Sequence, residues 1–326
     1  MKWWMQASAE LALAYLPGGR WAHARLRERS GELSKLEEST RFDNALYFVR
    51  MARQFCGELG DIRAVEFGTG WVPAVPLAFM TCGAHVETYD VSRLVTPESF
   101  RRTHTVVRGR APEFAAAADL PLQAVEKRHL QIQDAPDFAV ACRRLGGCYR
   151  APYDTCNLPY RDGEADLVYS NLVLQCVPQE ILQNLIRESA RVLRPGGFAI
   201  HRIRTTDEVA TRDPRRNHLE FLKYSRKTWE RWFCHPIRYL NRLRASQLIE
   251  VFCNAGFDCR AIERDIDYDS IPVLERLSLA PEFRGLELED LATINLDIVL
   301  QKPLRKPAAG LSTRVPSRHE TPHNPM

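Results

Sequence analysis

The chain has 326 residues, enough for two average domains or one elaborated α/β domain, and its 45% hydrophobic and 26% charged residues exclude a wholly disordered chain. Its 45 basic and 41 acidic side chains leave a formal charge of +4, and the segment from Lys302 onward, with five basic residues against Glu320, accounts for all of it. The body is formally neutral, which removes a global pull toward nucleic acid or anionic membrane and leaves only local basic patches.

From Trp4 to Leu16 apolar residues recur at helical spacing and stop at Pro17-Gly18-Gly19, a turn signal. Gln6, Ser8 and Glu10 make this stretch too polar for a signal-peptide core, and no run of about 18 apolar residues occurs anywhere, so a cytoplasmic protein without a membrane span is expected. A second helix is predicted from Asp43 to Leu59, with Leu46, Val49, Met51 and Phe55 apolar. Neither helix could bury its apolar face alone, so residues 1–60 read as an N-terminal helical cap.

An alternation follows: Ala64–Phe67 strand, Pro73–Cys82 helix, His85–Tyr89 strand, Cys148–Tyr153 strand, Ala165–Ser170 strand, Glu180–Leu193 helix, Phe198–Ile203 strand. Arg244–Ala255 reads as helix, and Asp258–Glu263 and Thr293–Leu300 as closing strands. Such βα units predict a mostly parallel, doubly wound sheet with helices on both faces. Two long segments interrupt the pattern, from Leu94 to Gly147 and from Arg204 to Leu243, and both are expected to carry helices, because structureless loops of that length are unusual. Residues 302–326, rich in Pro, Ser, Arg and Thr, read as a disordered tail. The nine cysteines are scattered, odd in number and form no CxxC pair, so reduced thiols are expected and a zinc site is not.

The chemistry concentrates after the first strand, in Glu66-Phe67-Gly68-Thr69-Gly70-Trp71-Val72-Pro73. Glycines allow close backbone approach to a ligand, and the following helix start presents unpaired N–H groups. About 20 residues later the second strand ends at Asp90, placed to bind a ribose diol, with Val91 next to it. A dinucleotide fold would want glycine where Pro73 stands, so NAD is disfavoured.

An acid followed by Gly-x-Gly resembles the first motif of the class I S-adenosylmethionine-dependent methyltransferases, of the type 11 kind, and the resemblance continues in order from about residue 60 to 265. It implies a Rossmann-like α/β fold on a seven-stranded sheet, S-adenosyl-L-methionine as cofactor, and cofactor contacts from Glu66, Phe67, Gly68, Thr69, Gly70, Asp90 and Val91. In Asp154-Thr155-Cys156-Asn157-Leu158-Pro159-Tyr160 it implies that Asp154 accepts from the adenine amine and that the Thr155 backbone meets a ring nitrogen. In Asp166-Leu167-Val168-Tyr169-Ser170-Asn171 it places Ser170 and Asn171 at the active-site floor, and it gives Arg191-Val192-Leu193-Arg194-Pro195-Gly196-Gly197 a structural role before the fifth strand.

Substrate information should sit in the insertion 205–243, an expected helical lid on a domain spanning 61–301. There nine basic residues face five acidic ones, with Phe221, Tyr224, Trp229, Trp232, Phe233 and Tyr239 interleaved. This composition suits RNA, or a lid over a small anionic or sugar-like molecule, or a cap whose aromatics are simply core. The run Asp213-Pro214 through Asn217, Leu219 and Phe221-Leu222 to Trp229 and Tyr239–Arg244 resembles bacterial methyltransferases of small-molecule and surface-polysaccharide biosynthesis. It points to a small-molecule or saccharide acceptor over nucleic acid, with Trp229, Tyr239, Asn241 and Arg242 as acceptor contacts. A cofactor-binding protein without transfer activity is the third reading. For a general base the sequence offers Asp207 and His218; His201, mid-strand, reads as a buried structural histidine. No metal is implied by ligand spacing. Because the tail has no core-forming pattern, truncation after Pro303 should leave the thermal midpoint and cofactor affinity nearly unchanged; loss of either would show that it makes a structural contact.

Overall fold

The computed structural model describes residues 40–207, 217–235 and 239–304. The helix read at Trp4–Leu16, the tail from residue 305 and the Asp213–Arg216 part of the lid lie outside them. Seven strands, β1 (Arg63–Phe67), β2 (His85–Tyr89), β3 (Cys148–Arg150), β4 (Ala165–Asn171), β5 (Leu193–Arg204), β6 (Asp258–Ile266) and β7 (Thr293–Gln301), form one sheet in the order β3-β2-β1-β4-β5-β7-β6. All pairings are parallel except those of β7, which is antiparallel to β5 and β6. The chain runs outward from β1 through β2 to β3, then returns to the other side of β1 as β4. This reversal is the switch point at which open α/β sheets bind ligands beyond the carboxyl ends of their strands.

One face is covered by α1 (Thr40–Cys56) and α2 (Ala74–Thr81). Every residue of α2 is buried, so it is a central helix that is apolar all round rather than amphipathic. The expected helix at 43–59 is α1, and it belongs to the sheet's own core: Phe48 packs 5.7 Å from Tyr169 of β4, and Phe55 5.7 Å from Phe198 of β5. Residues 94–147 fold into four helices, α3 (Pro97–Gly109), α4 (Ala111–Ala118), α5 (Leu122–Ile132) and α6 (Phe138–Arg144). Local chemistry starts two of them: Thr96 and Ser99 form a capping box on α3, and Asp137 accepts from Val140 N at 2.8 Å on α6. The opposite face carries α7 (Gln179–Val192) and α9 (Ala245–Asn254), with α8 (Arg226–Trp232) between them in sequence.

Boundaries differ from the sequence expectation where local chemistry intervenes. β3 stops at Arg150 instead of reaching Tyr153, because Pro152 has no N–H for a ladder. β6 runs to Ile266 rather than Glu263; it is an edge strand whose outward residues Arg264 and Asp265 masked its period. The segment 267–292 gives no clear periodic signal, yet it holds α10 (Ile271–Arg276) and α11 (Leu288–Ala292). These share one core with the lid, in which Leu219, Phe221, Leu222, Trp229 and Phe233 pack with Leu274, Phe283 and Leu291. Two remote segments therefore build the lid.

Arg244 closes this junction. Its fully buried guanidinium donates to the carbonyls of Thr205 at 2.5 Å, Asp290 at 3.2 Å and Leu291 at 2.9 Å, and also to that of Thr293. Those acceptors lie just past the end of β5, in the last turn of α11 and at the start of β7, where a cation is favoured; Asp290 O also accepts from Thr293 N, and Thr293 O from Thr205 Oγ1 at 2.5 Å. Burial lowers its pKa to about 10, still well above neutrality, so the group stays charged. Arg244→Met should cost about 3–5 kcal/mol in urea denaturation, since it strands the Thr205 and Leu291 carbonyls and takes a donor from those of Asp290 and Thr293, whereas Arg244→Lys should cost less. A loss below about 1 kcal/mol for the Met variant would show that water replaces the guanidinium at these carbonyls.

Candidate functional site

Strand register sets out the site before any side chain is considered. Phe67 pairs with Tyr89 and Glu66 with Tyr169, so extending the ladders brings Asp90 and Asn171 level with Gly68 on either side. Gly68 has φ +73°, and a Cβ there would lie 2.5 Å from the Val173 side chain, so only glycine fits. Gly70, at φ +65°, has nothing within 4 Å of the position its Cβ would take: the turn is open there to a ligand.

The Asp90 carboxylate holds this turn. Its Oδ2 accepts from Gly70 N at 2.8 Å and its Oδ1 from Ser92 N at 2.9 Å. Burial raises its pKa, while the two backbone N–H groups act in the opposite direction. Each oxygen keeps a further lone pair, so a ribose diol remains an admissible partner. Val91 beside it is 72% exposed. The Asp90 backbone joins the next loop, accepting from Tyr153 N at 2.8 Å. Asp154 is exposed and caps its own turn, its Oδ1 accepting from Cys156 N at 3.0 Å; Thr155 is half-buried. Arg191 fastens this loop to α7 by donating to Tyr160 O at 2.7 Å and Leu158 O at 3.2 Å, a role the sequence showed only as part of a helix stop.

Three expected cofactor residues face away from the cleft. Phe67 packs its ring into the core on the α7/α9 face. Ser170 follows the same side of the pleat: it is fully buried and its hydroxyl lies 2.8 Å from His201 Nδ1. His201 stacks on Phe252 of α9 at 5.3 Å, and burial pushes its pKa down to about 3, so it is the structural histidine that the sequence suggested. Glu66 is buried beneath the turn; Thr88 donates to its carboxylate, and Thr69 Oγ1 contacts Thr88 Oγ1. Asn171, on the opposite side of the β4 pleat from Ser170, is half-buried, and its Oδ1 accepts from Asn44 Nδ2 at 3.0 Å.

Of the lid residues, Trp229, Tyr239, Asn241 and Arg242 together line a cavity of about 190 Å³ shared with Gln179, Arg226 and Phe283. Their fixed contacts are structural. Trp229 Nε1 donates to Leu240 O at 3.0 Å, and Asn241 Nδ2 donates to Leu174 O and Val177 O at 2.7 and 3.0 Å, tying the lid to the loop after β4. Arg242 pairs with Glu282 at 2.8 Å between the rings of Trp229 and Phe283. Asp207 and His218 are adjacent, with Asp207 N donating to His218 O at 3.1 Å. Asp207 is buried, whereas His218 Nε2 lies 3.0 Å from Asp267 Oδ2, a partner absent from the sequence reading. Among the described residues no cluster of three or more His, Cys, Asp or Glu side chains is arranged for a metal, and no helix is long and apolar enough to cross a membrane.

Residues 116–201 match the family model described as a methyltransferase domain. Over those residues the chain carries a methyltransferase domain. Its similarity to solved structures is at low identity. It is 17% identical to an S-adenosylmethionine-dependent methyltransferase from Mesorhizobium loti, covering 77% of this chain and 95% of that one at a TM-score of 0.42. It is 15% identical to one from Methanosarcina mazei, covering 78% and 98% at 0.43. It is 11% identical to a magnesium protoporphyrin IX methyltransferase from Synechocystis with bound SAH, covering 80% and 83% at 0.45. No curated protein matches the sequence.

The methyltransferase turn thus rests on a buried acid. Burial, the largest cause, raises the Glu66 pKa from 4.5 to about 8 against the hydrogen bonds from Thr88 and Thr69, so at neutral pH the folded protein favours the protonated form. Ionising it in the fold is unfavourable: its contribution to stability is complete below pH 4.5 and is lost as pH rises toward 8. Glu66→Gln, which mimics the neutral acid, should flatten the fall of the thermal midpoint between pH 6 and 8.5. An unchanged pH dependence would place the titrating group elsewhere.

Proposed function

We propose that this methyltransferase transfers the methyl group of S-adenosyl-L-methionine to an oxygen, or a nitrogen, of a small-molecule or saccharide acceptor. The observation that carries this reading is the charge pairing of the lid. Lys223 lies 3.2 Å from Glu220, Arg226 2.7 Å from Glu230 and 3.0 Å from Glu180, and Arg242 2.8 Å from Glu282. These three cations, committed to carboxylates, are poorly placed to neutralise a phosphate backbone, and Phe221, Trp229 and Phe233 pack as core instead of offering stacking faces, while Trp232 is exposed beside Arg231. The cavity they enclose suits part of a compact acceptor.

The cofactor supplies an electrophilic methyl sulfonium. The open space above Gly70 admits close approach of the ligand, Asp90 accepts from ribose hydroxyls, the exposed Val91 side chain covers an apolar ring face, and Asp154 with Thr155 meets the adenine edge. The remaining task is to hold a nucleophile in line and remove its proton. His218 is the better base of the two expected residues, because it is half-buried where Asp207 is buried, and its Nε2 lies 3.0 Å from Asp267 Oδ2.

Calorimetric titration of the full chain with S-adenosylhomocysteine should show one site per chain, and Asp90→Ala should weaken it about tenfold or more. With radiolabelled cofactor and a cell lysate, label should enter the small-molecule or saccharide fraction. Label in the nucleic-acid fraction would favour the RNA reading, and binding without any transfer would favour a cofactor-binding protein.

A further inference from the structure

The row across the carboxyl edge of the sheet continues beyond Asn171. Asn171 pairs with Arg202 of β5, Arg202 with Asp297 of β7, and Asp297 with Glu263 of β6. On the α1 face these side chains form a relay. Asp297 Oδ2 lies 2.9 Å from Arg202 Nη2, Arg202 Nη1 donates to Asn44 Oδ1 at 2.6 Å, and Asn44 Nδ2 donates to Asn171 Oδ1 at 3.0 Å. Arg202 also lies 5.2 Å over the Tyr47 ring, while Asn44 and Asp297 are buried.

The chemistry of these groups fixes the direction of every link. A guanidinium only donates, so Asn44 must turn its oxygen to Arg202 and its nitrogen to Asn171. Asn171 must then receive with its oxygen, which leaves its Nδ2 directed away from the relay; among the described residues that nitrogen has no protein partner. An isolated carboxamide can exchange its two ends at little steric cost, so an asparagine at the strand end would not otherwise present one defined polarity. We propose that Asn44, held by Arg202 and Asp297, is a positioning residue that orients Asn171 so that its Nδ2 donates to an oxygen of the ligand seated over the Gly68–Gly70 turn. This rests on the cofactor reading above.

Asn44→Asp tests the relay with an isosteric change. The carboxylate keeps Arg202 as partner but has no N–H for Asn171, so the Asn171 amide turns its nitrogen toward residue 44 and loses its direction at the turn. The thermal midpoint should stay near that of the parent while S-adenosylhomocysteine affinity falls about ten- to a hundredfold. In an Asn171→Ala background the same Asn44→Asp change should have no further effect, because it acts through Asn171. Arg202→Lys keeps a donor toward Asn44 and should stay within about threefold of the parent. Parental affinity in Asn44→Asp or in Asn171→Ala overturns the proposal, as does a loss that persists in the double variant. The ¹⁵N side-chain amide signal of Asn171, assigned by its disappearance in Asn171→Ala, should shift in Asn44→Asp without any ligand. If the parent chain fails to bind S-adenosylhomocysteine, the cofactor reading falls, and this signal still decides the relay: an unmoved resonance overturns it.

Discussion

The architecture depends on a buried cation. Arg244 lies where β5 ends, β7 begins, α11 stops and α9 starts, and its guanidinium takes a carbonyl from each of the first three elements. A side chain that only donates suits a place where several carbonyls converge, and an apolar residue there would leave those of Thr205 and Leu291 unsatisfied. The Asp290 carboxylate adds charge balance while accepting from Ser246 N at 3.0 Å. Through this one group the antiparallel half of the sheet is fastened to the lid, so the lid is part of the sheet's framework at its base.

The other half of the sheet is organised around a glycine turn held from two sides. Below, Glu66 stands among threonines and is kept neutral by burial. At the edge, Asp90 accepts two backbone N–H groups and stabilises the loop conformation that leaves Gly70 open. Two carboxyls at the ends of β1 and β2 thus do different work because their surroundings differ. One is a neutral structural member, and the other is a carboxylate with spare acceptor capacity toward the cleft.

Between these halves the α1 face carries a polar relay where a fully apolar layer would have served packing alone. Burial raises the Asp297 pKa to about 6, with Glu263 and Asp265 adding to the rise and Arg202 opposing it, so the ion pair is complete only toward neutral pH. Its link to Asn171 joins the far strands of the sheet to the row that also holds Gly68 and Asp90. The lid contributes a second polar seam in Asn241, whose amide grips the loop that carries Val173 against Gly68.

The succession of strands and helices along the chain, the helical nature of both long interruptions and the place of the ligand turn were legible in the sequence, because each rests on short-range patterning: apolar runs of strand length, glycines at a strand end, acids a fixed distance apart. The pairing of residues was not. Whether Ser170 or Asn171 faces the cleft depends on the pleat of β4, and a one-residue difference sends one to His201 and the other to Asn44. Arg244, Arg202 and Asp297 look like ordinary surface charges in sequence, since nothing local tells that a charged side chain will be buried with its partners. The segment 267–292 was silent because its helices are one or two turns long, too short for a period to emerge, and they owe their form to packing against the lid. By itself the sequence determined the fold class and the chemistry of the turn, which follow from local backbone preference and periodic burial. Only the tertiary structure decided which polar groups meet, because hydrogen bonds between residues a hundred or more positions apart, such as Asn44 and Asn171, exist only once the sheet has set their register.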